Sequence, residues 1–109
     1  MQWPLQRVAV VEQSMEPALH PGDWLLVWRG IRAGEPPRVR SGDVVIAAHP
    51  ERTGFLLVKR ATMLRPAGWW LESDNTSAVG AVDSWSFGPV SGELIYGKVL
   101  LRYWPLRRD

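Results

Sequence analysis

Short apolar runs alternate with Pro- and Gly-containing turns along the whole of this 109-residue chain. The runs are rich in Val, Ile, Leu and Trp, which favour a pleated and partly buried surface. None is long and periodic enough to indicate a helix, although Ser14 can cap a single helical turn over Met15–Leu19. The pattern predicts six strands, at Arg7–Val11, Trp24–Arg29, Asp43–Ala48, Phe55–Thr62, Trp69–Ser73 and Leu94–Trp104. The sequence therefore predicts one mainly-β domain spanning residues 1–109.

Composition narrows the possible function classes. The formal net charge is +2, too small to indicate a nucleic-acid partner or an anionic surface. There is no Cys, which excludes thiolate metal sites and disulfides, and the two His have no metal-ligand spacing. No apolar run approaches the roughly 18 residues of a membrane span. These features predict no metal, no cofactor, no nucleic acid and no transmembrane segment, in a cytoplasmic protein or one held peripherally at a membrane.

Ser14 is a candidate nucleophile because of its position in the chain. It follows the apolar run Val8–Val11 and precedes a turn bounded by Pro17, after which Pro21-Gly22-Asp23 leads into another apolar strand. Such a strand exit can expose a hydroxyl beside backbone N–H groups that hold an oxyanion. The same position suits a simple turn cap, so both interpretations stay open at this point.

Lys59 is a candidate base because of the alternation of its strand. It shares one face with Leu57 and Ala61, whereas Arg60 shares the other face with Val58. One face should be buried, so one of the two cations points inward. A buried Lys can lose its charge and act as a base, which Arg cannot do. A neutral Lys beside a Ser hydroxyl would form a Ser–Lys dyad, but a Lys at a strand end is also commonly a surface residue.

Four blocks of sequence, in order, resemble the type I signal peptidase family, serine peptidase family S26. The blocks are Ser14–Leu19 with Pro21–Asp23, Gly42–Val45, Val58–Arg60, and a late block of Ser73–Asn75, Asp83–Ser84 and Phe87–Val90. The resemblance runs from about Val8 to Pro105, and four ordered blocks are far more specific than one. The short length and the ending Arg102–Pro105 most resemble the soluble nickel-type superoxide dismutase maturation proteases.

The resemblance implies a fold, a site and a function. The fold would be signal peptidase/LexA-like, with short coiled antiparallel sheets and a catalytic core at about residues 8–105. Ser14 would be the nucleophile and Lys59 the general base of a serine endopeptidase without cofactor or metal. The substrate would be a precursor protein with an N-terminal leader, most like the nickel superoxide dismutase precursor. The remaining site residues implied are Gln13, Met15, Asp83 and Ser84 for oxyanion binding and support, and Val10, Val11 and Pro17 for substrate binding.

The sequence departs from the family pattern at several positions. Glu12 stands where a small residue is common, and Ala81 and Trp85 replace the first Ser and the Arg of a Ser-x-Asp-Ser-Arg block. That Ser orients the lysine in the family, a role that passes here to Ser77 or Ser84 or goes unfilled. Three alternatives stay open: a peptidase that processes exported proteins, a self-cleaving module of the repressor type, and an inactive peptide-binding relative, which is the one that these departures support.

Overall fold

The computed structural model describes residues 5–9, 15–16, 19–30, 37–75 and 82–104. Its strands are β1 (Leu5–Ala9), β2 (Trp24–Trp28), β3 (Val44–Ala48), β4 (Leu56–Arg65), β5 (Gly68–Glu72) and β6 (Ile95–Trp104). A short helix, α1 (Ser84–Phe87), and a 3₁₀ turn, Gly92–Leu94, lie between β5 and β6. The predicted mainly-β fold is confirmed.

The strands form one antiparallel sheet in the order β1-β2-β6-β3-β4-β5. β1 and β2 pair directly, as do β3, β4 and β5 in succession, because each is joined to the next along the chain. β6 comes last in the sequence but lies between β2 and β3, and it pairs with both. The end of the described chain therefore joins the two earlier groups of strands into one sheet.

The core lies on both faces of the sheet at β3. Neighbouring residues of a strand point to opposite faces, and β3 divides its apolar side chains accordingly. Ile46 belongs to one buried cluster, with Met15, Leu19, Leu25 and Val27. Val45 and Ala47 belong to a second, with Ala61, Leu71, Val90 and Ile95. β4 pairs with β3 and contributes to both clusters, because Ala61 belongs to the second and Val58 packs against the first.

The observed elements differ from the predicted ones mainly at their ends. β1 begins two residues before the predicted strand, whose last residues lie outside the described ranges. β4 continues three residues past Thr62, because its pairing with β5 extends to Arg65 and Gly68 at the hairpin turn. The helical turn predicted over Met15–Leu19 is described in part. The Leu19 amide donates to the Met15 carbonyl at 2.8 Å, and residues 17–18 lie outside the described ranges. Helix α1 was not predicted.

Gly68 opens β5 where a second segment of chain approaches its backbone. Trp69 and Val90 exchange two backbone hydrogen bonds of 2.8 Å beside it. Gly68 has a φ of +142°, and a Cβ built there would overlap the Val90 carbonyl. Glycine is therefore required both by the backbone conformation and by the close approach of the Val90 segment.

We expect Gly68→Ala to lower the free energy of unfolding by about 2–4 kcal/mol, from backbone strain plus steric overlap. Urea unfolding measures the loss. Gly54→Ala is the matched control, because Gly54 has a φ of +87° but open space around its Cβ position. It should lose only the conformational part, about 1–2 kcal/mol. Equal losses in the two variants would contradict the overlap with Val90.

Candidate active site

Lys59 is buried on β4, the strand next to the edge strand β5, with 1 % of its surface exposed. It lies on β4 opposite Val45 of β3, and Leu57 and Ala61 on the same face of β4 are also buried. The prediction that one of the two adjacent cations points inward is confirmed, and that cation is Lys59. Its ammonium group has therefore been removed from bulk water, which is costly unless the group is hydrogen-bonded or neutral.

The hydroxyl of Ser73 meets the amine of Lys59. Lys59 Nζ donates to Ser73 Oγ at 2.9 Å, and Ser73 is only 8 % exposed. The pairing of Arg60 with Glu72 and of Ala61 with Leu71 continues by one step to place Ser73 opposite Lys59. This contact is thus a cross-strand pair at the end of β5. Ser73 is a residue of the site that sequence reasoning missed.

The segment at the start of α1 is fastened to the end of β5 by Asp83. One oxygen of its carboxylate caps the helix by accepting from the Trp85 amide at 3.0 Å. The other oxygen accepts from the Ser73 amide at 3.1 Å. Asp83, predicted as a support residue, therefore contacts Ser73, the residue whose hydroxyl meets Lys59.

The hydroxyl of Ser84, the residue considered for orienting Lys59, is directed elsewhere. Ser84 is buried, and its Oγ accepts from the Leu71 amide of β5 at 2.8 Å. The bond fastens α1 to the sheet at Leu71, two pairs along the β4–β5 ladder from Lys59. Ser77, the other residue considered for orienting the lysine, lies outside the described ranges. Among described serines, it is Ser73 whose hydroxyl contacts Lys59.

Arg60 points to the opposite face of β4 and has structural partners there. Its Nε and Nη2 donate to the two carboxylate oxygens of Asp74 at 2.9 and 2.7 Å, and its Nη1 donates to the Gly42 carbonyl at 2.8 Å. The hydrogen bonds that Arg60 donates to Asp74 raise the pKa of Arg60 above its already high value, against the opposing effect of burial. Arg60 therefore stays charged and holds the residue that follows Ser73 against the sheet.

Trp85, which stands in place of the family's arginine, makes different contacts. Its indole N–H donates to Glu72 Oε2 at 2.6 Å, and its ring meets the edge of Trp70 at a centroid distance of 5.2 Å. The residue is nevertheless 76 % exposed. Trp85 therefore packs on the exposed surface of β5, against Trp70 and Glu72, next to Ser73.

Met15 follows the predicted nucleophile Ser14 in the sequence and lies within the described ranges. Its side chain is buried among Leu25, Val27 and Ile46, so it anchors the chain directly after Ser14 to the core. Its predicted part in oxyanion support concerns the backbone and stays a prediction. The other predicted residues of this segment lie outside the described ranges: Val10, Val11, Gln13, Ser14 and Pro17. Within the described ranges, no three His, Asp or Glu side chains are grouped so as to hold a metal ion.

Comparison with known proteins identifies the family of this chain. Residues 2–64 match the family described as Signal peptidase, peptidase S26, and this stretch contains both Ser14 and Lys59. The chain belongs to the S26 signal peptidase family. The match covers more than half of the chain, so the predicted family is confirmed, and it includes the first three of the four sequence blocks. The match identifies the family and does not show the nickel-type maturation subgroup.

Relatives of this S26 chain include three mitochondrial proteases. Subunit 1 of the mitochondrial inner membrane protease of Xenopus tropicalis is 31 % identical, covering 62 % of this chain and 52 % of its own. Subunit 2 of the Saccharomyces cerevisiae protease is 28 % identical, covering 87 % and 66 %. The mitochondrial ATP-independent inner membrane protease subunit 1b of Arabidopsis thaliana is 32 % identical, covering 86 % and 67 %. The chain thus spans about half to two thirds of the length of these relatives.

The prediction of a cytoplasmic location is wrong. All three relatives are named as inner membrane proteases of mitochondria, a membrane-associated class. The prediction relied on the lack of Cys and on the lack of a long apolar run, neither of which distinguishes a cytoplasmic domain from one that works at a membrane. Within the part of the chain that the structure describes, no helix has the length and apolar character needed to cross a bilayer.

Proposed function

We propose that this chain is a serine endopeptidase that removes N-terminal leader peptides from precursor proteins, with Ser14 as nucleophile and Lys59 as general base. The observation that carries the proposal is the burial of Lys59 with its amine on a hydroxyl, inside the stretch that matches the S26 family. A lysine that serves only solubility keeps its amine in water. Desolvation favours the neutral amine, the form that can accept a proton from serine.

The proposed reaction has two halves that share one proton carrier. The Lys59 amine takes the Ser14 hydroxyl proton as Ser14 Oγ bonds to the scissile carbonyl carbon. The resulting ammonium gives this proton to the departing amine nitrogen as the peptide bond breaks, which leaves an acyl-enzyme. Lys59 then takes a proton from water, which attacks the ester, and returns that proton to Ser14 Oγ as the acyl group leaves.

Backbone N–H groups around the nucleophile complete the proposed site. The oxyanion of each tetrahedral intermediate would be held by the Ser14 amide, with Gln13 and Met15 supporting the turn. One such donor typically contributes about 3 kcal/mol of transition-state stabilisation. The substrate would lie extended along Val10 and Val11, where main-chain pairing gives affinity and pockets for alternate side chains give specificity. By analogy with the family, the residues flanking the cut should be small.

A library of unstructured peptides, with products identified by mass spectrometry, tests this function. We expect the chain to cut internal bonds that follow small residues such as Ala, Gly or Ser. Ser14→Ala protein at the same concentration is the control for contaminating proteases. The proposal is contradicted if wild type and Ser14→Ala release the same products, which would favour the inactive peptide-binding alternative.

The identity of the precursor is a narrower proposal. The sequence resemblance points to the nickel superoxide dismutase precursor, whereas the relatives found are inner membrane proteases and do not support that substrate. Incubation of the chain with this precursor should release the leader by one cut. If the peptide library is cut but the precursor stays intact, the substrate is another leader-bearing protein and the peptidase function stands.

A further inference from the structure

Ser73 lies in a position that no other part of the proposed mechanism uses. Its hydroxyl is 2.9 Å from the Lys59 amine, and both residues are almost fully buried. Every buried side-chain nitrogen and oxygen of the described residues has a hydrogen-bond partner. A buried hydroxyl on a buried amine is therefore part of an ordered polar network, in which each hydrogen bond is stronger than its equivalent in water.

The location of the Ser73 hydroxyl is fixed from two sides. Its own amide donates to Asp83, whose carboxylate also caps α1. The following residue, Asp74, is held by two hydrogen bonds from Arg60, the neighbour of Lys59 on β4. Ser73 is thus tied to the helix on one side and to the strand of Lys59 on the other. The Lys59 side chain has four rotatable bonds, and the Ser73 hydroxyl that it meets is held in position by these other contacts.

We propose that Ser73 is a positioning residue for Lys59: its hydroxyl accepts one N–H of the amine and thereby directs the lone pair towards the nucleophile. A neutral amine has two N–H groups and one lone pair, so fixing one N–H restricts where the lone pair can point. When the amine takes up the nucleophile's proton, the same hydrogen bond becomes charge-assisted and stronger. The inference rests on the proposed peptidase function and adds to it the residue that aims the base.

Three substitutions separate positioning from simple packing. Ser73→Ala removes the hydroxyl, while Ser73→Thr and Ser73→Val have nearly the same shape and differ in whether the hydroxyl is present. We expect kcat for a library-derived peptide to fall about 10- to 100-fold in the Ala and Val variants, with KM within about twofold of wild type. Ser73→Thr should keep kcat within about fivefold of wild type.

Ser41→Ala is the matched control. The Ser41 hydroxyl also bonds to β4, donating to the Thr62 carbonyl at 2.7 Å, but it does not touch Lys59. Its removal should leave kcat unchanged within about twofold. Thermal unfolding of every variant is recorded first, and kinetics are measured below its onset. Should Ser73→Ala not fold, the comparison of Thr with Val decides, because the two side chains fill the same space.

The outcomes distinguish this inference from the function on which it rests. Equal kcat for the Thr and Val variants, or wild-type kcat in Ser73→Ala, would overturn positioning by Ser73 while peptidase activity stands. A rise in KM with kcat unchanged would also overturn it, since positioning acts on the chemical step. A wild-type chain that neither cuts peptides nor is acylated at Ser14 would overturn both proposals.

Discussion

Replacement of Lys59 by Met should lower kcat/KM for peptide cleavage at least about 1,000-fold, because general-base catalysis contributes factors of this size. Met has nearly the volume of Lys without the amine, so the side chain still fills the buried site beside Val45. The buried Ser73 hydroxyl loses its bond to the amine, at a cost of about 1–3 kcal/mol, which is a fraction of the stability of a typical domain. We therefore expect an inactive protein that still unfolds cooperatively, as followed by cleavage kinetics and thermal unfolding.

Lys98 provides the control for this substitution, because Lys59 and Lys98 are the only lysines in the sequence. Lys98 Nζ lies 3.9 Å from an Asp43 carboxylate oxygen, and its side chain is 26 % exposed. A surface ion pair of this kind contributes at most about 1 kcal/mol. Lys98→Met should therefore keep activity within about twofold of wild type. Activity of Lys59→Met within tenfold of wild type would contradict the assignment of Lys59 as base.

Ser14→Ala should also reduce kcat/KM at least about 1,000-fold, since no acyl-enzyme can form without the nucleophile. Ser86 is the matched control, because it is an exposed serine on α1 whose hydroxyl is not part of the proposed site. Ser86→Ala should cleave peptides at the wild-type rate. The double variant Ser14→Ala/Lys59→Met should be no slower than either single variant, because the two residues act as one unit. Additive losses would argue that they act separately.

Local pattern was enough to predict the strands and to predict that one of the adjacent cations Lys59 and Arg60 points inward. Apolar runs separated by Gly and Pro turns predict six strands, and the described residues form six strands that overlap them. The alternation along β4 separates Lys59 from Arg60, and the structure buries the first and pairs the second with Asp74. Both inferences need only the period of a strand and the difference between a dry and a wet face.

Features that depend on tertiary contacts escaped sequence reasoning. Helix α1 has four residues, too few for periodicity to detect, although Asp83 before it and Gly88 after it are helix-capping types. Counting the hairpin register back from the turn at Pro66-Ala67 would place Asp74 opposite Lys59. A bulge between Ala61 and Met63 shifts the register by one residue and brings Ser73 there instead, and such a bulge depends on pairing between strands rather than on local preference. The cellular location of the protein could not be predicted from strand patterns, turn residues or composition.

Peptide mapping of the acylated residue tests the central claim most directly. The purified wild-type chain is treated with an acylating serine-directed probe, digested, and sequenced by tandem mass spectrometry, alongside Lys59→Met and Lys98→Met. We predict one acyl group on Ser14 in wild type and in Lys98→Met, and none in Lys59→Met over the same time. An acyl group on another serine such as Ser73 or Ser84, or equal acylation of Ser14 in Lys59→Met, would contradict a Ser14–Lys59 dyad.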